Sequence, residues 1–157
     1  MIKVMQWSFI SKLFLSLALA ITPWAVSVAA DSAPAKSDPA WLTDARASIQ
    51  SNNYDQALKQ LQSANEVNSA DWNNLMGYSL RKKQPPDLVS SEKFYQAALK
   101  IDPSHRAALE YYGELLLMKN DLPGAEAMLA RLDKACLFSC EEYRDLKASI
   151  AKYQGKK

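Results

Sequence analysis

Three features of the 157-residue chain predict an all-α fold, an array of three helix pairs closed by a C-terminal capping helix. Side chains of matched size recur every 34 residues, residues that start and stop helices punctuate the pattern, and no stretch alternates as a strand does. From Asp38 to Tyr153 only five valines and isoleucines occur, which leaves little to build β-strands from.

Shifted by 34 against itself, the chain superposes Ala57, Ser91 and Ala125 as small residues and Leu61, Tyr95 and Leu129 as large ones. Ala64, Ala98 and Leu132 form a third apolar row. Within each copy these positions lie four and then three residues apart, so they share one helix face. A preceding helix carries a small residue at its close-packing point: Ala45, Gly77 and Gly113. Their spacing is 32 and then 36, because the second copy has two extra residues at Gln84-Pro85-Pro86 and the connection around Asn68-Ser69 is shorter. Glycine and alanine let two helix backbones approach, and the large residue opposite fills the groove so made. One such pair cannot bury its apolar face alone, so the copies must stack.

The elements follow in order. Residues 31–37 are small, polar and proline-containing, a flexible leader. The first copy (38–69) opens at Asp38-Pro39, an N-cap with proline at the first helical position. Asn53 and Gln56 have capping-box spacing for its second helix. In the second copy (70–103), Pro85-Pro86 must stop the first helix. Ser104 is placed to cap the first helix of the third copy (106–137), and Asp121 its second. Ser139-Cys140-Glu141-Glu142 has the form of another capping box, opening a helix over 139–153 whose Tyr143, Leu146, Ile150 and Tyr153 make one apolar stripe. That stripe covers the side the last copy would leave open, and 154–157 form a tail.

The first 30 residues have the order of a secretory signal: Lys3, a mostly apolar run from Trp7 to Ala20, Pro23, and small residues Val28-Ala29-Ala30 before Asp31. The run lacks the roughly 18 uninterrupted apolar residues of a spanning helix. Cleavage near Ala30 and a periplasmic location without stable membrane insertion are therefore expected; a retained anchor is the alternative. Removing Lys3 and Lys12 takes Lys+Arg from 19 to 17, equal to the 17 Asp+Glu, so the mature chain is formally neutral. A neutral domain has no electrostatic footprint for nucleic acid.

The catalytic inventory is poor. His105 is the sole histidine, at a helix start, with no nucleophile and acid spaced around it for a triad. Cys136, Cys140 and His105 do not form a zinc set, and with four glycines no phosphate-cradling loop is present. No enzyme, cofactor, metal or small-molecule substrate is expected. Cys136 and Cys140 lie four apart across a helix-to-helix turn; in an oxidising compartment they would pair as a structural disulfide. Free thiols, or a redox-active pair one residue longer than Cys-x2-Cys, are the alternatives.

Over about Asp38 to Leu137 the chain resembles the tetratricopeptide repeat family, whose pattern is Trp-x2-Leu-Gly-x2-Tyr, then Ala-x3-Phe, then Pro. Leu109, Tyr112, Gly113, Leu116, Ala125 and Leu129 sit where that pattern asks, and Ile101-Asp102-Pro103 is a typical ending. The first copy diverges most, with Trp41 in the tryptophan place, Ala45 replacing glycine and Ser69 standing for the closing proline. The resemblance implies a right-handed α-solenoid with the first helix of each pair on the concave side. That side would present Leu42, Arg46 and Ile49, then Asn74, Tyr78, Arg81 and Lys82, then Glu110, Glu114 and Leu117. Arg81-Lys82-Lys83 reads equally as a solvated last turn complementing the helix dipole. The expected role is a periplasmic adaptor or assembly factor holding a protein or peptide of the envelope. The alternatives are a thiol-linked protein using Cys136 and Cys140, and a scaffold subunit docked through its last helix.

Overall fold

A computed structural model describes residues 37–156. The signal segment (1–30) and all but the last residue of the leader lie outside the described residues. Among the described residues seven helices follow one another: α1 (Ala40–Gln50), α2 (Tyr54–Ala64), α3 (Ala70–Lys82), α4 (Leu88–Ile101), α5 (Arg106–Met118), α6 (Leu122–Ala135) and α7 (Glu141–Gln154). No strand occurs among the described residues, and none of their helices is long and apolar enough to cross a membrane.

Local chemistry sets the helix ends. Asn53, Ser69, Asp87 and Asp121 each accept a hydrogen bond from a backbone N–H in the first turn that follows, which satisfies a donor the helix itself leaves open. Asn52, Asn65 and Asn120 take the positive φ that ends a helix or turns the chain. Three expected caps are not formed. Ser104 donates its hydroxyl to Asp102 Oδ1 at 2.7 Å, and His105 caps α5 instead, its Nδ1 accepting from Ala108 N at 3.1 Å. Asp38 stands one residue too early for α1 and accepts from Arg46 Nη1 at 2.7 Å. At α7 the flanking residue is Cys140, whose side chain is committed to Cys136, and no side chain caps the helix; the Ser139 carbonyl accepts from Arg144.

Each pair closes on itself, α1 on α2, α3 on α4 and α5 on α6. Along the array, α1 touches α3, α3 touches α5 and α5 touches α7, while α2 and α4, and α4 and α6, do not meet. A stack joined more tightly through its first helices than through its second is curved, with α1, α3, α5 and α7 on the inner side. Ala57, Ser91 and Ala125 are all fully buried, so the small row is one environment used three times. Ser91 is reconciled with that setting by donating to Gly77 O at 2.6 Å. Leu61, Tyr95, Ala98 and Leu132 are also fully buried, whereas Ala64 and Leu129, in the end copies, are half-covered.

The apolar core forms two clusters. One is built on Leu42, Ala45, Leu58, Leu61, Trp72, Leu75, Met76 and Leu80, the other on residues of α4 to α7 including Leu109, Leu116, Leu132, Leu146 and Ile150. Trp72 ties the first two copies together, donating its indole N–H to Leu61 O at 2.7 Å and meeting Phe94 edge-on at 5.7 Å. The two glycines of the small positions serve different neighbours. A Cβ on Gly77 would lie 2.9 Å from the Tyr95 ring, within its own pair, whereas one on Gly113 would lie 2.6 Å from Leu146 of α7. Cys136 and Cys140 are joined with a Cα–Cα distance of 5.7 Å, and Leu137 and Phe138 in the loop between them are almost wholly exposed.

Gly77→Ala is expected to destabilise by about 1–3 kcal/mol, since the Tyr95 ring and the Ser91 carbonyl must both give way. Gly155→Ala, whose Cβ would meet nothing closer than 3.5 Å, serves as the silent control; urea unfolding compares the two. Replacing Cys136 and Cys140 by serine should lower stability by about 2 kcal/mol through the restored freedom of the unfolded loop, read in the same measurement.

Candidate functional site

The concave side holds a cavity of about 300 Å³ whose walls come from three successive first helices. From α1 come Arg46, Ile49 and Gln50, from α3 Asp71, Asn74, Leu75 and Tyr78, and from α5 Ala107 and Tyr111. Positions three or four apart on each helix bring these side chains to one face. Of the residues expected from sequence, Arg46, Ile49, Asn74 and Tyr78 line it.

Tyr78 is the centre of an aromatic row. Its ring centroid lies 4.7 Å from Tyr111 and 6.3 Å from Tyr54. The Arg81 guanidinium stands 5.5 Å from the Tyr78 ring and 5.6 Å from that of Tyr111, and Lys82 Nζ is 5.9 Å from Tyr78. Burial holds the Tyr111 phenol up at about 12, so the platform is neutral. Asn74, at the floor, is 3% exposed and its Oδ1 has no hydrogen-bond partner among the described residues. At the mouth, Asp71 lies 3.4 Å from His105 Nε2 and 3.6 Å from Arg46 Nη2. The hydrogen bond from His105, and then the Arg46 guanidinium, keep its carboxyl below the ordinary aspartate value.

Several expectations need correction. Leu42 and Leu117, assigned to the open face, are 4% and 8% exposed and belong to the two core clusters. Arg81 is neither a free groove cation nor a solvated last-turn charge. It is 7% exposed and pairs with Glu114 across α3 and α5, Nη2 to Oε2 at 2.8 Å, because the aromatic row and α5 close over it. Lys82 alone keeps an exposed ammonium there. Glu110 is 8% exposed and makes no hydrogen bond or ion pair with any described residue. Burial, reinforced by Glu114, Asp145 and Glu142 and opposed by Arg81, pushes its carboxyl up to about 8.

Sequence reasoning missed Tyr111, Ala107, Asp71, Tyr54 and the α7 carboxylates. Ala107 and Tyr111 sit four apart on α5, the repeat counterparts of Asp71 and Leu75, so the concave stripe is one residue wider than its Asn74–Tyr78 edge suggested. Tyr111 was hidden behind its neighbour Tyr112, which fills a packing place against Tyr95 at 6.2 Å between centroids.

Among the described residues no group of three or more His, Cys, Asp or Glu is placed to hold a metal ion. The arrangement offers an apolar platform with a buried amide, one cationic edge and one acidic edge.

Glu110 should make stability fall as pH rises. Its carboxyl is protonated in both states below about 4.5; above that the unfolded chain ionises while the folded one resists until about 8, so a favourable contribution is lost across this window. Relative to Glu110→Gln, the protein should lose on the order of 2 kcal/mol between pH 5 and pH 8.5, measured by chemical unfolding at each pH. Parallel curves for the two proteins would remove this carboxyl from the explanation.

Residues 87–150, spanning α4 to α7, match the tetratricopeptide repeat family. No curated protein matches the sequence. Among solved structures, the Yersinia enterocolitica type III secretion translocator chaperone SycD is similar, with a TM-score of 0.63 at 16% identity, over 74% of this chain and 82% of that one. The first tetratricopeptide domain of human RPAP3 has a TM-score of 0.59 at 11% identity, over 74% of this chain and 94% of its own. At such identities the likeness is one of fold. The family match over residues 87–150, the two structural neighbours and the stacked helix pairs agree on one fold, an all-α array of the tetratricopeptide-repeat kind.

Proposed function

We propose that this protein is an exported adaptor that holds an extended segment of a partner polypeptide along its concave face, in the periplasm of a Gram-negative bacterium. The observation that carries the reading is the concave cavity of about 300 Å³, walled by side chains of three successive first helices with Asn74 buried at its floor. Tyr78 and Tyr111 beside it offer a rigid platform for an apolar side chain of the same segment. One of the similar structures is itself described as a translocator chaperone, which is consistent with a holding role. Export is supported by the signal-like order from Lys3 to Ala30 and by a cysteine pair of the kind that persists in oxidising compartments.

A groove of three helix pairs is small, so micromolar binding is expected, roughly 8 kcal/mol. The scaffold reading fares less well: Leu146 and Ile150 of α7 are buried against the protein's own α5 and α6, and little of its apolar stripe is left for an outside subunit.

Tyr78→Ala combined with Arg46→Glu should reduce partner recovery from envelope extract at least tenfold, with the helical circular dichroism unchanged. Lys59→Glu, on the exposed side of α2, should leave recovery intact. Equal recovery by the groove variant and the parent would exclude the concave face.

A further inference from the structure

We propose that the concave face receives a basic side chain, lysine or arginine, of the bound segment at Glu110, beside the Tyr78–Tyr111 platform that seats a neighbouring apolar residue. This rests on the polypeptide-holding reading and names the chemistry of the segment. Glu110 lies on α5 between Ala107 and Tyr111, both of which line the cavity. It is more than nine-tenths buried and has no partner among the described residues, yet its oxygens are not sealed from solvent as Asn74 Oδ1 and Tyr95 Oη are. A carboxylate so placed is costly unless a cation completes it.

The groups facing it leave that cation missing. Glu114 stands on the same helix, Glu142 and Asp145 on α7, and Arg81 on α3. Arg81 is the cation closest in role, but its guanidinium is taken by Glu114 at 2.8 Å, and Ser149 Oγ holds the other Glu114 oxygen at 3.3 Å. Arg106 is drawn to Glu142 at 3.7 Å. Four carboxylates therefore share two guanidinium groups; of the two left over, Asp145 is exposed to water and Glu110 is the buried one. A metal ion does not fit, because no set of three ligating side chains converges among the described residues. An organic cation does: an ammonium or guanidinium meets Glu110 at one side and the adjoining tyrosine faces at the other. Since burial holds the Glu110 carboxyl protonated near neutral pH, an arriving cation expels that proton.

The test pans a random dodecapeptide display library on the purified exported protein and on its Glu110→Gln and Tyr78→Ala variants. Lysine or arginine next to an aromatic or aliphatic residue should be enriched on the parent protein. The basic enrichment alone should vanish with Glu110→Gln, and all groove binding should fall with Tyr78→Ala. Calorimetry of one selected peptide at pH 7, in two buffers of different ionisation heat, should show release of close to one proton, absent from Glu110→Gln. Selected peptides without basic enrichment that still need Tyr78, or spermidine displacing them at equal concentration, would overturn this inference and leave the groove reading standing. Peptides indifferent to Tyr78, or no enrichment at all, would overturn both.

Discussion

Close approach of helix backbones at the small positions governs the rest of the molecule. Gly77 lets the Tyr95 ring lie where a Cβ would stand, and Gly113 does the same for Leu146. With α3 and α4 drawn together in this way, Ser91 reaches the Gly77 carbonyl and Tyr95 is fully enclosed. The curvature follows, because first helices that touch and second helices that do not can only stack around an arc. A side chain at Gly77 would push α3 from α4, and one at Gly113 would push α5 from α7.

A consequence of this packing is a polar seam between the two apolar clusters. Asn74, Ser79, Arg81 and Tyr95 are buried there, each with a side-chain atom that finds no hydrogen-bond partner among the described residues, and Glu110 joins them from α5. A fold optimised only for stability would fill these places with hydrocarbon. Of these groups Asn74 lines the concave cavity, although its unpaired oxygen is itself covered.

The cap helix is more than a solvating lid. Leu146 fills the space left by Gly113, and Glu142 and Asp145 extend the acidic edge of the concave face. The disulfide between Cys136 and Cys140 ties α6 to α7, and Arg106 reaches Glu142 from α5. Position of the fourth inner helix thus bears on the electrostatics of the site as well as on closure of the core.

The helix count, the pairing, the small and large rows and the inner helices were all legible in the residues, because packing against a neighbour of the same kind demands the same sizes at the same spacing. Turn chemistry was legible where one residue type has one job, as at Asp121 and Pro85, and misread where two neighbours compete, as at Ser104 and His105. The site was only partly readable. Arg46, Asn74 and Tyr78 could be placed on a face, but whether Arg81 is free or paired, whether Leu42 and Leu117 are open or covered, and which carboxylate lacks a counter-ion were decided by tertiary contact. Periodicity records which side of its own helix a residue occupies. Charge state and accessibility depend on what the adjoining helices bring within a few ångströms, and no spacing along one helix carries that information.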